Sequence, residues 1–149
     1  MKKNSAGLLM YKKKNDEFLV FLVHPGGPYW YNKYQWGIPK GEIEKEEDPQ
    51  KAAIREFEEE TSIDVNSSLK YLGITSSKYK TIETWAFEKD WEGEIKSNLF
   101  EMEWPKNSGI MQEFPENDKG RWFSLDQAEQ VIFDSQKEIL LNFKKEFEI

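Results

Sequence analysis

The chain has 149 residues, a formal net charge of −7 and no cysteine. That length suits one hydrophobic core, and the missing cysteines exclude a disulfide framework, a thiolate metal site and a cysteine nucleophile. The acidic balance argues against general nucleic-acid binding, which needs a basic face.

A single domain over residues 1–149 is the expectation, in a reducing, cytoplasmic setting and away from membranes. No apolar run approaches a membrane span. The apolar part of the opening MKKNSAGLLMYKKK is short and closed by lysines, unlike a secretory leader. Ser5 to Tyr11 reads as a strand, and Phe18 to His24 as a second one, joined by the polar turn KKKNDE. FLVFLVH is apolar at nearly every position, as a strand covered on both faces should be. His24 ends that strand, and it reads as a packing residue or a substrate contact. The following PGGPYWYNKYQW is a loop, because two glycines bracketed by prolines leave no regular structure. Its rings, Tyr29, Trp30, Tyr31 and Tyr34, cap the core, form a dimer contact, or make a stacking platform for a nucleobase.

Trp36 to Gly41 is expected to be a short strand. Lys40 is placed to meet a phosphate oxygen, and Gly41 permits close backbone approach. Asp48 as N-cap and Pro49 at the first position start a helix running to about Thr61. Ser62 should end it in a left-handed conformation at a cost of about 1 kcal/mol. Leu69 to Thr75 and Thr81 to Phe87 form a strand pair. Trp85 and Phe87 share one face of it, and Ile82 and Ala86 the other. Lys78 and Lys80 near the turn are phosphate candidates or ordinary solvated lysines. Residues 90–118 are polar and turn-rich, a long loop or an irregular strand carrying Glu101, Glu103, Glu113 and Glu116. Arg121 to Phe123 is a last short strand. Ser124 with Gln127, and Ser135 with Glu138, are spaced as capping boxes opening two helices. Ile139, Leu140, Phe143 and Phe147 form the core stripe of the second.

The chemistry concentrates at residues 41–63. Glu56, Glu59 and Glu60 lie at i, i+3 and i+4, on one face of the helix. Three carboxylates crowded together repel and help no helix. A hard divalent cation among them would give the arrangement a reason, since such ions take oxygen ligands. A metal on the helix beside a glycine loop with a lysine fits phosphoanhydride hydrolysis, where the metal neutralises phosphates and activates water. With a single histidine and no cysteine, no Ser-His-Asp or Cys-His constellation competes.

Gly41, five residues, Glu47, seven residues, then Arg55, Glu56, Phe57, one residue, Glu59, Glu60, one residue, Ser62 and Ile63 resembles the signature of the Nudix hydrolases. Only Ser62 departs, where that family has glycine. The resemblance implies an α/β fold, an α/β/α sandwich with a mixed central sheet. It also implies hydrolysis of a nucleoside diphosphate linked to another moiety, with Mg²⁺ or Mn²⁺ as cofactor. By position, Glu56, Glu59 and Glu60 would be metal ligands, with the Gly41 carbonyl as a further one, and Arg55 would be structural or orienting. The base would be a motif glutamate or a later one, Glu113 or Glu103. The aromatic loop and WGIPKGE look similar to members acting on dinucleoside polyphosphates or nucleoside triphosphates; oxidised nucleotides and ADP-ribose stay open. Lys40, Trp30, Tyr31 and His24 are the substrate-contact candidates, and the resemblance allows a homodimer. The alternatives are a catalytically idle nucleotide-binding or regulatory module, and an acidic interaction domain using the aromatic loop as an interface.

Overall fold

In the computed structural model, which describes residues 2–149, the first two strands are long and strongly apolar. β1 (Lys3–Lys14) and β2 (Glu17–Pro25) are followed by a short β3 (Lys40–Glu42), helix α1 (Pro49–Thr61), β4 (Lys70–Ser76) and β5 (Lys80–Glu88). A ribbon of β6 (Leu99–Glu103) and β7 (Met111–Pro115) precedes β8 (Asn117–Ser124), α2 (Leu125–Val131), a 3₁₀ turn (Asp134–Gln136) and α3 (Lys137–Glu146). The main sheet runs β4-β5-β1-β2-β8. β1 and β5 pair in parallel, and the other neighbours are antiparallel, so the sheet is mixed.

Alternation along β1 divides the core. Leu8 and Met10 join Phe21, Ala53, Phe57 and Phe87 under α1. Leu9 joins Leu22, Trp36, Ile139, Leu140 and Phe143 under α2 and α3. Every inward position on both faces is thus covered, which is why the strands read as near-continuous apolar runs. Ile82 and Ala86 fall in the second cluster and Trp85 and Phe87 in the first, matching the expected alternation. Among the described residues, no helix is long and apolar enough to cross a membrane.

One edge of β1 serves two partners: Ser5 to Gly7 pair with β3, and Tyr11 to Lys14 with β2. β2 and β3 splay apart between these pairings. Gly37 bridges to Val23, and Trp36 to Ile132. The gap becomes a cavity.

Three expectations are corrected. Of the two readings of residues 90–118, a long loop or an irregular strand with loops, the long loop is set aside. Residues 99–115 form a two-stranded β-ribbon, with Phe100 opposite Phe114 and Phe100 packed under Gly27. The last strand begins at Asn117, four residues before Arg121, because β8 pairs with β2 along its length. The Ser124–Gln127 capping box forms, but Ser135–Glu138 does not. A 3₁₀ turn takes its place, since the Gln136 side chain is drawn to the Ile38 backbone instead.

Candidate active site

Helix α1 is defined at both ends by local chemistry. The Asp48 carboxylate accepts from Lys51 N at 3.1 Å, and Pro49 stands at the first turn. Ser62 ends the helix in the left-handed region, at φ 62° and ψ 24°. The last carbonyls are satisfied from outside: Glu59 O accepts from Asn98 N at 2.9 Å and Thr61 O from Lys96 N at 3.1 Å. The same segment receives Glu116 N on Asn98 O and Asn117 N on Ser97 Oγ. Two remote residues, Glu116 and Asn117, are thereby pinned beside the helix.

The crowded carboxylates share one cation. Arg55 Nε and Nη2 donate to the two oxygens of Glu47 at 2.8 and 3.0 Å, a bidentate pair. Nη1 donates to Glu56 Oε1 at 2.9 Å and reaches Glu59 Oε1 at 3.4 Å. Nη2 also meets the Glu42 carbonyl at 3.3 Å. The hydrogen bonds from Arg55, with a second from the Glu44 amide, hold Glu47 down at a pKa of about 2. The same pairing raises Arg55 above its ordinary value. Arg55 is therefore a brace: it fixes the motif loop to the helix and orients two of the three face carboxylates.

Gly41 explains the glycine. A Cβ there would lie 2.0 Å from the Glu56 carboxyl carbon and 2.2 Å from one of its oxygens. Only a residue without a side chain lets Glu56 rest against the backbone of β3. Glu60, third of the set, is buried, and its Oε1 accepts from Asn117 Nδ2 at 2.6 Å. Burial first, and the neighbouring Glu56 carboxylate after it, push Glu60 up to about 8, against the stabilising Asn117 bond. Lys40 is lowered, mainly by burial and then by Lys80. Glu116 is raised by burial and by Glu56, against the pull of Lys40.

This donor set fits a hard divalent cation. The ligating atoms offered are all oxygens, the Gly41 cradle admits Glu56, and Glu60 is a buried carboxylate beside it. Among the described residues, however, no three such side chains converge as ligands. Glu56 and Glu59 lean on Arg55, and Glu60 on Asn117.

A cavity of about 380 Å³ opens beside the cluster. One end is acidic and basic together, with Lys40, Lys80, Glu60, Glu116 and Asn117 in its wall. The other is aromatic and amide-lined, with Trp30, Phe133 and Gln136. Of the expected contacts, Lys40 and Trp30 line it; Tyr31 and His24 do not. Tyr31 is exposed to solvent at 76%. His24 is buried: its Nδ1 faces Asp118 at 2.8 Å and its Nε2 donates to the Lys33 carbonyl at 2.5 Å. His24 so anchors the aromatic loop from beneath. Lys80 lines the cavity and Lys78 does not.

The later-glutamate expectation also shifts. Glu113 stands on β7 directly opposite Glu101 and is exposed, because the two-residue period of the ribbon turns it outward. Glu103 receives Asn107 N and Gly109 N, each at 3.0 Å, and builds the ribbon turn. Glu116, past the end of β7, is the later carboxylate at the cluster. Sequence reasoning passed over Asn117 and Gln136. Neither carries a local signal, since their partners lie 57 and 98 positions away.

The family model described as NUDIX domain matches residues 1–143. An RNA pyrophosphohydrolase of Bartonella henselae is 26% identical over 166 aligned residues, covering 97% of this chain and 89% of that one. A C. elegans Ap4A hydrolase, solved as a binary complex, superposes with a TM-score of 0.66 at 22% identity, over 98% of both chains. The NUDIX domain of Shewanella oneidensis NrtR, solved with ADP ribose, superposes at 0.70 with 11% identity, over 99% of this chain and 89% of that one. These structural neighbours share the mixed α/β fold. With the family model spanning nearly the whole length, the chain belongs to the NUDIX domain family.

Proposed function

We propose that this chain is a pyrophosphohydrolase that uses a divalent cation, Mg²⁺ or Mn²⁺, to cut a phosphoanhydride bond in a nucleoside diphosphate-linked substrate. The substrate in this reading is a nucleoside triphosphate or a dinucleoside polyphosphate. The observation that carries the reading is the Gly41–Glu56 contact, a carboxylate of helix α1 set against bare backbone next to Lys40. Lys40 and Glu60 of the same helix line a cavity that also holds Trp30 and Phe133.

Glu56, Glu59 and Glu60 would hold the cation, with the Gly41 carbonyl beside them. When bound, the cation neutralises phosphate charge and lowers the pKa of a water. Arg55, fixed by Glu47, sets the positions of Glu56 and Glu59 and keeps their mutual repulsion in check. Glu59 is the most exposed of the three and the most loosely held, which suits it to take a proton from the attacking water. Lys40, half-buried beside the carboxylates with no hydrogen bond from its amine among the described residues, lines the cavity, where it would receive a phosphate oxygen. Lys80 supports it. Trp30 supplies ring surface for a base.

Glu113 is replaced in this reading by Glu116 as the later carboxylate beside the cluster. Family members generally use divalent metals, and the likeness to an RNA pyrophosphohydrolase puts RNA on the same test panel. The second reading, a catalytically idle nucleotide-binding module, draws on the absence of converging ligands among the described residues. Incubation with either metal and a nucleotide panel, following phosphate release, separates them: turnover supports the first, and tight binding without turnover the second.

A further inference from the structure

Gln136 is buried, at 4% exposure, yet half of its amide has nothing to do. Its Oε1 accepts from Ile38 N at 2.9 Å. That bond fixes which way the amide points, because a backbone N–H requires the oxygen. Nε2, with two protons, then donates to no group among the described residues. It is also absent from the atoms sealed off from solvent without a partner, which are Trp36 Nε1 and Thr84 Oγ1. Its free surface therefore opens on the cavity that Gln136 lines. A donor held in one orientation and open to the cavity is free to meet an acceptor on whatever fills the site.

The surroundings say what kind of acceptor. Phe133 and Trp30 stand edge to face, with centroids 5.3 Å apart, and both line the same end of the cavity. Gly37 completes the corner, where any Cβ would come within 2.9 Å of the Gln136 amide. Lys40 lies only four residues on from Trp36 and at the phosphate end. A flat heteroaromatic ring with phosphates attached matches that sequence of surfaces. A guanine-type ring carries two adjacent acceptors, N7 and O6, on the edge that an NH₂ can span; adenine carries N7 beside an N6 amino donor. The amide oxygen is turned to Ile38 N, so the group offered to the cavity is the Nε2 donor, and the adenine N6 amino group finds no acceptor there. The selection is one of polarity: a 6-keto purine finds its complement, and an adenine meets a donor against a donor.

We propose that Gln136 is a specificity-determining residue whose free amide N–H, framed by Trp30 and Phe133, selects 6-keto purine nucleotides over adenine nucleotides. This deepens the reading of the cleft as a nucleotide-hydrolysing site and rests on it for the orientation of the substrate.

The test uses the full chain, with metal-free binding of GMP, IMP and AMP followed by tryptophan fluorescence, alongside Mg²⁺-dependent turnover of GTP, ITP and ATP. Hypoxanthine shares O6 and N7 with guanine and lacks its 2-amino group. GMP and IMP should bind alike and roughly tenfold more tightly than AMP, the worth of one matched pair of polar contacts. Gln136→Glu keeps the Oε1 acceptor for Ile38 and replaces the donor by an acceptor. In that variant the preference should fall by about the same factor, more through KM than kcat. Equal binding of GMP, IMP and AMP by the wild-type chain overturns the proposal whether or not the variant folds. So does an unchanged preference in a folded Gln136→Glu. Preferential 6-keto binding with no hydrolysis of any substrate would sustain the selectivity and defeat the hydrolase reading, whereas turnover without base preference would do the reverse.

Discussion

Asn117 Nδ2 donates to Glu60 Oε1 at 2.6 Å, and this bond joins the motif helix to the first residue of β8, 57 positions away. The partner carboxylate is buried and pushed up to about 8, chiefly by loss of water and then by Glu56. A cation bound among Glu56, Glu59 and Glu60 needs Glu60 ionised, so cation uptake should release a proton. Cation affinity is expected to rise with pH up to about pH 8 and flatten above it. The sign for the cation-free protein is opposite. The folded state holds a proton that the unfolded chain releases near the ordinary carboxylate pKa. Stability is therefore highest below about pH 4.5 as far as this group is concerned, and is lost as pH rises towards about 8. Calorimetric titration across that window, with melting curves in chelator, reads both slopes. A pH-independent cation affinity would remove Glu60 from the ligand set.

Glu47 behaves the other way. Arg55 holds it at about 2, below its ordinary range. Its contribution is present above about pH 4.5 and is lost as pH falls through that range towards about 2. Glu47→Gln should melt less steeply with acidification than the wild type, and should loosen Arg55 from the loop. Coincident acid limbs for the two proteins would mean that the pair adds nothing to the fold.

Gly41→Ala isolates the cradle. The added methyl would sit 2.0 Å from the Glu56 carboxyl carbon, so Glu56 must move. Activity with saturating cation should drop by about tenfold or more, the usual scale for disturbing the shell around a metal. The melting temperature should change little, because the displaced group is a side chain at the rim. A steady-state rate equal to wild type would show that Glu56 need not touch the backbone.

Ser62→Gly tests the one departure from the signature. Glycine relieves a left-handed residue by about 1 kcal/mol. The serine hydroxyl donates to Lys96 O at 2.5 Å, and losing that bond costs about 1 kcal/mol. The two effects nearly cancel. Denaturant melts should agree to within about 0.5 kcal/mol, with the same m-value. A gain well above that would mean the hydroxyl bond contributes nothing.

The sequence carried much of this because its strongest signals are local. The helix from Pro49 to Thr61, the Asp48 cap, the Ser62 terminator and the Ser124–Gln127 box depend on neighbours within four positions, and the structure holds each of them. The strand alternation that sends Trp85 and Phe87 to one face and Ile82 and Ala86 to the other is likewise short-range. What could not be read depends on distant partners. Residues 99–115 look like loop because Glu101, Glu103 and Glu113 obscure an alternation that only pairing reveals. Ser135 loses its capping role to a 3₁₀ turn once Gln136 is claimed by Ile38, and Tyr31 and Trp30 part company when the loop folds over His24. Glu116 and Asn117 reach the cluster through residues 96–98, which cap the helix carbonyls, and through the end of β2.

In the proposed function, the carboxylate face of α1 runs a cation-dependent hydrolysis. The most direct measurement follows nucleotide and phosphate release from GTP, ATP and a dinucleoside polyphosphate, with Mg²⁺ or Mn²⁺, by the wild-type chain and Glu59→Gln side by side. Glu59 is half-exposed on the helix and only loosely held by Arg55, so the substitution should leave the melt unchanged. The wild type should turn substrate over, chelator should abolish that turnover, and the variant should lose roughly 10²-fold or more. No turnover of any substrate with either metal, or a variant as fast as the wild type, would contradict the proposed function.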